Sequence, residues 1–383
     1  MQAKDAARST VAAADDELVA LSHQIHAHPE LGFEEHRASA RVAEALEGAG
    51  YDVQRGVADF PTALVGSIGS GPLVLGVCVE YDALPDIGHA CGHNVIAAAG
   101  VAAALGLAPL ADDLGLTVKV FGTPAEEGGG GKILMLDRGA FAGVHAAMMI
   151  HPSPRERADA SMLAVSHLGI GFTGKPAHAA AYPQHGINAA DALTVAQVSV
   201  GLLRQHIRSD QRIHGIVTRG GEAANVIPAR TSASYYVRAS TLEELAELQP
   251  RVEACFQAGA TATGAELEIT ELSAPYAEFR NDAAMVGFYR HNAERLGRRF
   301  PELPPDEAGP MGSSDMGNIS RAMPAIHPMV GIECGDSGNH QPEFARWCAQ
   351  PSADRAIVEC GTAMAWTCID LASDDEQRRR LTA

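Results

Sequence analysis

A short segment near position 90 concentrates side chains that could do chemistry. "DIGHACGHN", residues 86–94, places Cys91 and His93 two positions apart, just before an alanine-rich run. A thiolate and an imidazole at this spacing lie on the same side of an extended segment, and both are ligands for zinc-like cations. The segment alone is equally compatible with a metal site and with a glycine-rich turn that carries incidental histidines. A nucleophilic cysteine with a histidine base is a third interpretation.

A pair of carboxylates follows in "FGTPAEEGGGG", where Glu126 and Glu127 stand at the end of a predicted strand. Adjacent carboxylates point in different directions, so one can coordinate a metal while the other faces the reacting water as a general base. A solvated acidic loop is the alternative. A phosphate-binding loop is disfavoured, because two carboxylates would repel phosphate and no Lys-Ser or Lys-Thr pair follows the glycines.

Two further histidines stand at points where a ligand could be placed. His151 ends the apolar run of "AAMMIHPSP", and His340 lies in the polar loop "GDSGNHQPEF". A lone histidine at the end of an apolar strand is more often a hydrogen-bonded core residue than a ligand. Taken together, however, five nitrogen, sulfur and oxygen donors are enough for two adjacent divalent cations if one donor bridges them. These donors are Cys91, His93, Glu127, His151 and His340.

Strands and helices alternate along most of the chain, which predicts an α/β fold. Two helices are expected between residues 15 and 50, and short apolar runs then alternate with helical segments up to residue 152. The uncharged run 95–111 is too short and too rich in alanine and glycine for a membrane span, and it predicts a buried helix. The polar tail from Ser373 is expected to be mobile.

The pattern changes near His167, where six elements follow in the order βαββαβ. Such a unit is complete in itself, so it predicts a ferredoxin-like domain inserted into the larger one. We therefore expect a discontinuous catalytic, metal-binding domain over 1–166 and 275–383, and an inserted domain over 167–274.

The composition narrows the class of function. The chain has 383 residues and a formal net charge of −18, which disfavours nucleic-acid and anionic-membrane surfaces and favours a small-molecule substrate. Its seven cysteines are scattered without a Cys-x-x-Cys pair, as in proteins with reduced thiols. The first thirty residues show no signal-peptide pattern, so a cytoplasmic location is expected.

Five segments together resemble the M20 family of metallopeptidases, and within it the amidohydrolase branch with a Cys-Gly-His motif. The subgroup that they resemble most contains aminobenzoyl-glutamate hydrolases and dipeptidases for β-alanyl or basic dipeptides. The segments span almost the whole chain: "EYDALPDIGHACGHN", "TPAEEGGGGK", "KPAHAAAYPQHGINAADAL", "NVIPARTSASYYVRAS" and "GSSDMGNIS".

The resemblance implies a role for each residue of the metal site. Cys91 would bridge two metals, Glu126 would be the general base, and Asp82 would orient a ligating imidazole. One departure concerns Glu80, which stands where many family members have a metal-binding histidine; the amidohydrolase branch also lacks that histidine. The remaining implied ligands are His93, Glu127, His151 and His340.

The resemblance also implies roles in the inserted domain, which would serve as a lid and dimerisation domain. His178 would donate a hydrogen bond to the oxyanion of the tetrahedral intermediate, from the partner subunit of a homodimer. Asn225 and Arg238 match positions that help to hold the substrate, and a guanidinium suits bidentate capture of a carboxylate.

The chain is therefore expected to hydrolyse an amide or peptide bond in a small, carboxylate-bearing substrate with two divalent ions, Zn or Mn, or else Co. Candidate substrates are N-acyl amino acids, aminobenzoyl-glutamate and dipeptides. No nucleic-acid or membrane partner is expected.

The alternatives to this function are a non-catalytic protein that binds zinc or substrate, and a hydrolase with Cys91 as its nucleophile. A structural zinc site has no use for an unliganded carboxylate such as Glu126 beside the metal, which counts against the first.

Overall fold

The computed structural model describes residues 2–302, 304 and 309–383. It divides into two compact units. The first unit comprises Met1–Ser161, Phe279–Met311 and Asp315–Ala383, and the second comprises Met162–Glu278 and Gly312–Ser314. The second unit is thus a continuous insertion plus a short return segment, and it begins and ends a few residues outside the predicted range 167–274.

The core of the first unit is a six-stranded sheet with the order β1-β2-β4-β3-β5-β11. Its centre is parallel, because β3 (Leu73–Glu80) pairs in parallel with both β4 (Leu116–Thr123) and β5 (Ala146–Met148). Nearly every residue of β3 is buried, which explains its unbroken apolar sequence. The other strands of this sheet are β1 (Asp52–Arg55), β2 (Leu64–Ile68) and β11 (Ala325–Ile326).

The apolar run around His151 forms two strands rather than one. After β5 the chain enters β6 (His151–Ser153), which pairs in parallel with β12 (Met329–Gly331) in a separate two-stranded sheet. His151 therefore lies just beyond the main-sheet strand β5, where the next short strand begins. Strand β12 follows β11 just as β6 follows β5, so the two segments leave the main sheet together and stay paired.

Helices cover the sheet, and the alanine-rich helix is buried among them as predicted. This helix, α4 (His93–Leu107), connects β3 to β4. The stretch His93–Leu110 is apolar enough to cross a membrane, but 78% of it is buried in the fold, as in the core helix of a globular domain. The other helices before β6 are α1 (Gln2–Ala13), α2 (Asp15–His26), α3 (His36–Gly48) and α5 (Gly131–Asp137).

Both ends of the chain are more ordered than the sequence indicated. Helix α1 was not predicted; its apolar residues Ala7 and Val11 are buried in the core. The tail predicted to be mobile forms α12 (Asp375–Thr382), which is fixed where Arg378 donates to the carbonyl oxygens of Leu114 and Gly115. The remaining helices of this unit are α8 (Ala283–Arg295), α9 (Met316–Ala322), α10 (Pro342–Trp347) and α11 (Pro351–Ser373).

The second unit has the predicted βαββαβ order. Its four-stranded antiparallel sheet has the order β10-β7-β9-β8, with its own apolar core. Side chains cap both helices, since Asn188 accepts from the backbone of Ala190 and Thr241 from that of Glu244. The elements are β7 (Ala164–Thr173), α6 (Ala189–Leu203), β8 (Arg212–Arg219), β9 (Arg230–Ala239), α7 (Leu242–Thr263) and β10 (Glu266–Glu271). The predicted α/β fold with a ferredoxin-like insertion is confirmed.

Candidate active site

The candidate site lies where the central strands of the first unit end. Asp82 follows β3, Glu126 and Glu127 follow β4, and His93 opens α4. Gly92 between Cys91 and His93 has a φ of 80°, and a Cβ there would lie 2.8 Å from the ring of Pro152. Only glycine fits this turn without strain, which explains the Cys-Gly-His sequence.

Asp82 is buried and fixes the orientation of His93. Its Oδ1 lies 3.0 Å from His93 Nδ1, and its Oδ2 accepts from the backbone N–H of Glu127 at 3.0 Å. Burial alone would raise the pKa of Asp82, but the charge and hydrogen bond of His93 hold it below its usual value. A neutral His93 with its proton on Nδ1, facing Asp82, would leave the lone pair on Nε2 for a cation.

Cys91 lies at the centre of the predicted donors. Its Sγ is 3.4 Å from Nε2 of His151 and 3.4 Å from Nε2 of His340, and the latter atom is 3.3 Å from Oε1 of Glu127. Burial lowers the pKa of His151 to about 4, so its imidazole is neutral. Nδ1 of His151 lies 2.8 Å from the carbonyl oxygen of Pro152, which places the proton on Nδ1 and the lone pair on Nε2.

These donors form two groups, each compact enough for one cation. Cys91, His93 and His151 have donor atoms within 4.8 Å of one another, and so do Cys91, Glu127 and His340. Cys91 belongs to both groups, as a bridging ligand must. A second sign that the residues fit metal ions is that Nε2 of His93 is buried without a hydrogen-bond partner among the described residues.

The surroundings of Cys91 do not suit a nucleophile. Burial raises the pKa of the Cys91 thiol well above its usual value, and the charges of Glu127 and Glu126 add to this effect. Nucleophilic cysteines have the opposite shift, which electropositive neighbours produce. The histidines on either side of Cys91 in the sequence could serve as its base, but His93 bonds to Asp82 and His89 to the carbonyl oxygen of Ile25.

The two adjacent glutamates have different environments. Burial raises the pKa of Glu126 well above its usual value, assisted by the charges of Glu80 and Glu127. Burial acts the same way on Glu127, but the hydrogen bond from His340 and the charge of His93 outweigh it and lower that pKa. Opposite shifts in neighbouring carboxyl groups are typical of an acid–base group beside an electrostatic partner.

One buried carboxylate that sequence reasoning missed holds the glutamate turn in place. Glu35 accepts from the backbone N–H of Ala125 at 2.8 Å and from the hydroxyl of Thr62 at 2.7 Å. Ala125 has a φ of 52°, an uncommon value for a residue with a side chain. Nothing local in the sequence marks Glu35, because its partners lie far along the chain.

A buried cluster of charges beside the glutamates was also missed. Lys132, Glu80 and Asp315 all have fully buried side chains, and the Lys132 ammonium is paired with both carboxylates. Burial alone would lower the pKa of Lys132, but Asp315 and Glu80 raise it well above its usual value, so the ammonium stays charged. The only indication of this cluster in the sequence was the lysine directly after the glycine run.

The three predicted residues of the second unit lie on its surface or at its edge. His178 and Asn225 are exposed and neighbours, since the backbone N–H of Ala179 donates to the carbonyl oxygen of Asn225 at 3.0 Å. Nδ1 of His178 accepts from the backbone N–H groups of Ala180 and Ala181, so the proton is on Nε2.

Arg238 lies on β9 and is half-buried. Its Nη1 donates to the hydroxyl of Ser313 at 2.5 Å, and its Nε lies 3.2 Å from Nε2 of His214. The side chain is therefore held in place within its own unit.

An α/β domain with clustered metal-donor side chains beyond its strand ends is typical of metal-dependent hydrolases. Residues 79–353 match the family model described as peptidase family M20/M25/M40, and the chain belongs to this family. The predicted activity, metal-dependent cleavage of an amide or peptide bond, is confirmed with it.

The chain is similar to named members of this family. It is 37% identical to a mouse Xaa-Arg dipeptidase, over 94% of this chain and 86% of the relative. It is 34% identical to one of the subunits of p-aminobenzoyl-glutamate hydrolase from Escherichia coli K12, over 65% of this chain and 56% of the relative. The predicted subgroup is therefore confirmed.

Solved structures share the fold. An aminobenzoyl-glutamate utilization protein from Klebsiella pneumoniae superposes with a TM-score of 0.72 at 19% identity, covering 93% of this chain and 96% of that one. A Bacillus subtilis protein described as a dinuclear metal-binding peptidase of the M20 family gives a TM-score of 0.69 at 20% identity, covering 94% and 98%.

Proposed function

We propose that the first unit binds two divalent cations, Zn or Mn, with Co as a functional substitute. The observation that carries this proposal is the position of Cys91 in both donor groups. Cys91 would bridge the cations, His93 and His151 would complete one shell, and Glu127 and His340 the other. Asp82 would hold His93 in the tautomer that a cation requires.

Glu126 would move the proton in the hydrolysis. The bound cations would polarise the scissile carbonyl and lower the pKa of the attacking water. Glu126 would take the proton from this water and deliver it to the leaving amine. The raised pKa of its buried carboxyl group supports this role, because a base that must later act as an acid works best near the ambient pH.

The proposed substrate is a dipeptide with a basic C-terminal residue. The relative matched over 94% of this chain is an Xaa-Arg dipeptidase, and the protein carries a net charge of −18, which favours cationic ligands. Arg238 and Asn225 would hold the terminal carboxylate. The cytoplasm is the proposed location, in keeping with seven free cysteines.

The enzyme would act as a homodimer joined through its second units. Strand β8 is an edge strand whose side chains are mostly exposed, among them Ile216 and Val217. Helix α6 of the same unit exposes Val198 and Leu202. An apolar edge of this kind favours pairing with a second copy. His178 would then stabilise the oxyanion in the partner subunit, with the proton on its Nε2.

A hydrolysis screen tests the activity and its substrate class. Dipeptides ending in Arg or Lys, β-alanyl dipeptides, N-acyl amino acids and aminobenzoyl-glutamate are compared at equal concentration, with Mn or Zn and after chelation. We expect the basic dipeptides to be cleaved fastest, turnover to be lost on chelation, and turnover to return with metal. Cleavage that survives complete metal removal would contradict the metal proposal. Metal binding without turnover on any substrate would favour the non-catalytic alternative.

A further inference from the structure

In the buried cluster of Lys132, Glu80 and Asp315, the two carboxylates make different numbers of hydrogen bonds to the lysine. Asp315 uses both carboxylate oxygens on Lys132, since Oδ1 accepts from the ammonium at 2.7 Å and Oδ2 from the backbone N–H at 2.9 Å. Glu80 uses one oxygen, because its Oε1 accepts from the same ammonium. The second oxygen of Glu80, Oε2, therefore makes no hydrogen bond to the lysine.

That second oxygen faces the proposed metal site. Oε2 of Glu80 lies 3.4 Å from Nε2 of His93, and both atoms are fully buried. Neither makes a hydrogen bond to any residue that the structure describes. A buried carboxylate oxygen without a hydrogen-bond partner is unfavourable, and a cation between the two atoms would satisfy both of them.

The distance fits two ligands of one cation. Zinc–nitrogen and zinc–oxygen bonds are about 2.0–2.2 Å long, so two such donors at a tetrahedral angle lie about 3.3–3.5 Å apart. A direct hydrogen bond between the two atoms would instead be about 2.7–2.9 Å long. The separation of 3.4 Å between Glu80 and His93 corresponds to the first case.

We propose that Glu80 is a further ligand of the cation held by His93, and that Lys132 is its positioning residue. The inference rests on the proposed function, because it requires a cation beside His93. Lys132 holds Oε1 of Glu80, which turns Oε2 alone toward the cation and prevents chelation through both oxygens. Its charge also offsets the carboxylate that this ligand adds to an already acidic site.

The Glu80→Gln variant separates ligation from packing. The amide oxygen of Gln can keep the bond to Lys132, which turns its NH₂ group toward His93, and an amide NH₂ does not ligate a cation. Asp315→Asn is the matched control, because it removes one negative charge from the same lysine while both oxygens of Asp315 are already used within the cluster. Metal content, dissociation constants from chelator competition and the visible absorption of the Co-loaded protein are measured for both variants.

We expect E80Q to lose affinity for one of the two cations by at least about tenfold and to change the Co absorption, since a ligand contributes more than the outer partners that tune affinity 10–100-fold. D315N should keep the wild-type absorption. Wild-type constants and absorption in E80Q would overturn the inference while leaving the two-metal proposal intact. An equal affinity loss in D315N, with an unchanged absorption in E80Q, would also overturn it, because charge alone would then explain the effect.

Two further readouts keep the outcomes separate. Circular dichroism and thermal unfolding of the metal-free variants show whether each one folds. If E80Q does not fold, Glu80→Asp replaces it: this variant keeps the charge but withdraws the carboxylate by one methylene, and an unchanged metal affinity would overturn the inference. Failure of the wild-type protein to bind any cation would instead contradict the proposed function itself.

Discussion

Asp82 and His93 are joined by a buried hydrogen bond of 3.0 Å between Oδ1 and Nδ1. The other oxygen of Asp82 accepts from the backbone of Glu127, so one carboxylate positions two candidate ligands, one at the start of α4 and one after β4. Asp82 thereby fixes the position of the Glu126–Glu127 turn relative to the Cys-Gly-His turn. This link explains why an aspartate that contacts no substrate in the proposed mechanism still belongs to the site.

Replacing Asp82 with Asn should therefore weaken metal binding. The amide keeps the shape but cannot stabilise the Nδ1–H tautomer of His93 in the same way, and a loss of 10–100-fold in affinity for at least one cation is expected. Asp86, exposed in the same loop, supplies the control D86N, which should bind metal normally. Chelator competition measures both. Equal affinities for D82N and the wild type would show that Asp82 does not orient a ligand.

Cys91→Ser should lower the occupancy of both cations. A bridging thiolate serves two ions at once, and a neutral hydroxyl is a poor substitute for it. Cys255→Ser is the control, because Cys255 lies on α7 of the second unit and bonds to a helix carbonyl oxygen. Elemental analysis after gel filtration measures the number of cations bound per chain in each variant. Full occupancy combined with lost activity would support Cys91 as a nucleophile instead.

Acid should destabilise the protein through His167. Burial and the charge of Arg238 lower the pKa of this residue from 6.5 to about 4, so the folded state keeps it neutral. Between these values the unfolded chain binds more protons than the folded one, and stability falls as the pH falls. The contribution is about 2 kcal/mol at pH 5 relative to pH 7.

The variant His167→Phe keeps an aromatic ring that cannot titrate, so its free energy of unfolding should depend less on pH over this range. His185→Asn, at an exposed position of the same unit, should retain the wild-type slope. Calorimetric unfolding of the three metal-free proteins at several pH values provides the comparison. The same slope in H167F and the wild type would refute the assignment.

The parts of the fold that could be predicted are those with local signals. The strand and helix alternation, the βαββαβ insertion and the segments around Cys91, Glu126 and His151 follow from apolar periodicity, glycine turns and chemically distinctive residues. His340 alone was a weak candidate, because its polar loop has no local signal, and its role in one metal shell came from the family resemblance. Its backbone N–H donates to the carbonyl oxygen of Ala90, so a contact with a distant segment brings it to Cys91.

The missed features depend on partners far apart in the sequence. In the sequence, Lys132 is only a polar residue at the end of a glycine run. Its ion pairs with Glu80 and Asp315 form only in the folded chain. The sequence of helix α12 resembles a mobile charged tail. The helix is ordered because Arg378 donates to carbonyl oxygens in the loop before β4. In each case a long-range contact outweighs the local preference of the chain.

Mixing two inactive variants tests the proposed homodimer. His178→Ala should lose about 10²–10³ in kcat as the loss of an oxyanion donor, and Glu126→Gln should be inactive for want of a base. In a mixed dimer the H178A subunit keeps its own Glu126 and receives an intact His178 from its partner. Co-expression in equal amounts should restore about a quarter of the wild-type activity, since half the dimers are mixed and half their sites are complete.

Subunit exchange is verified with differently tagged copies. Exchange without recovery of activity would place His178 in the site of its own subunit or outside catalysis. A monomer at assay concentration would also contradict the dimer, while leaving the metal ligands and Glu126 in their proposed roles.

The division of labour between Glu126 and Glu127 is the central claim, and Glu126→Gln tests it most directly. The metal content and kcat of this variant are measured together on the same sample. We predict two cations per chain, as in the wild type, and a kcat lowered by about 10²–10⁴, because the amide keeps the shape of the side chain but cannot accept a proton. An E126Q protein that retains most of its kcat, or one that loses its metal, would contradict the assignment.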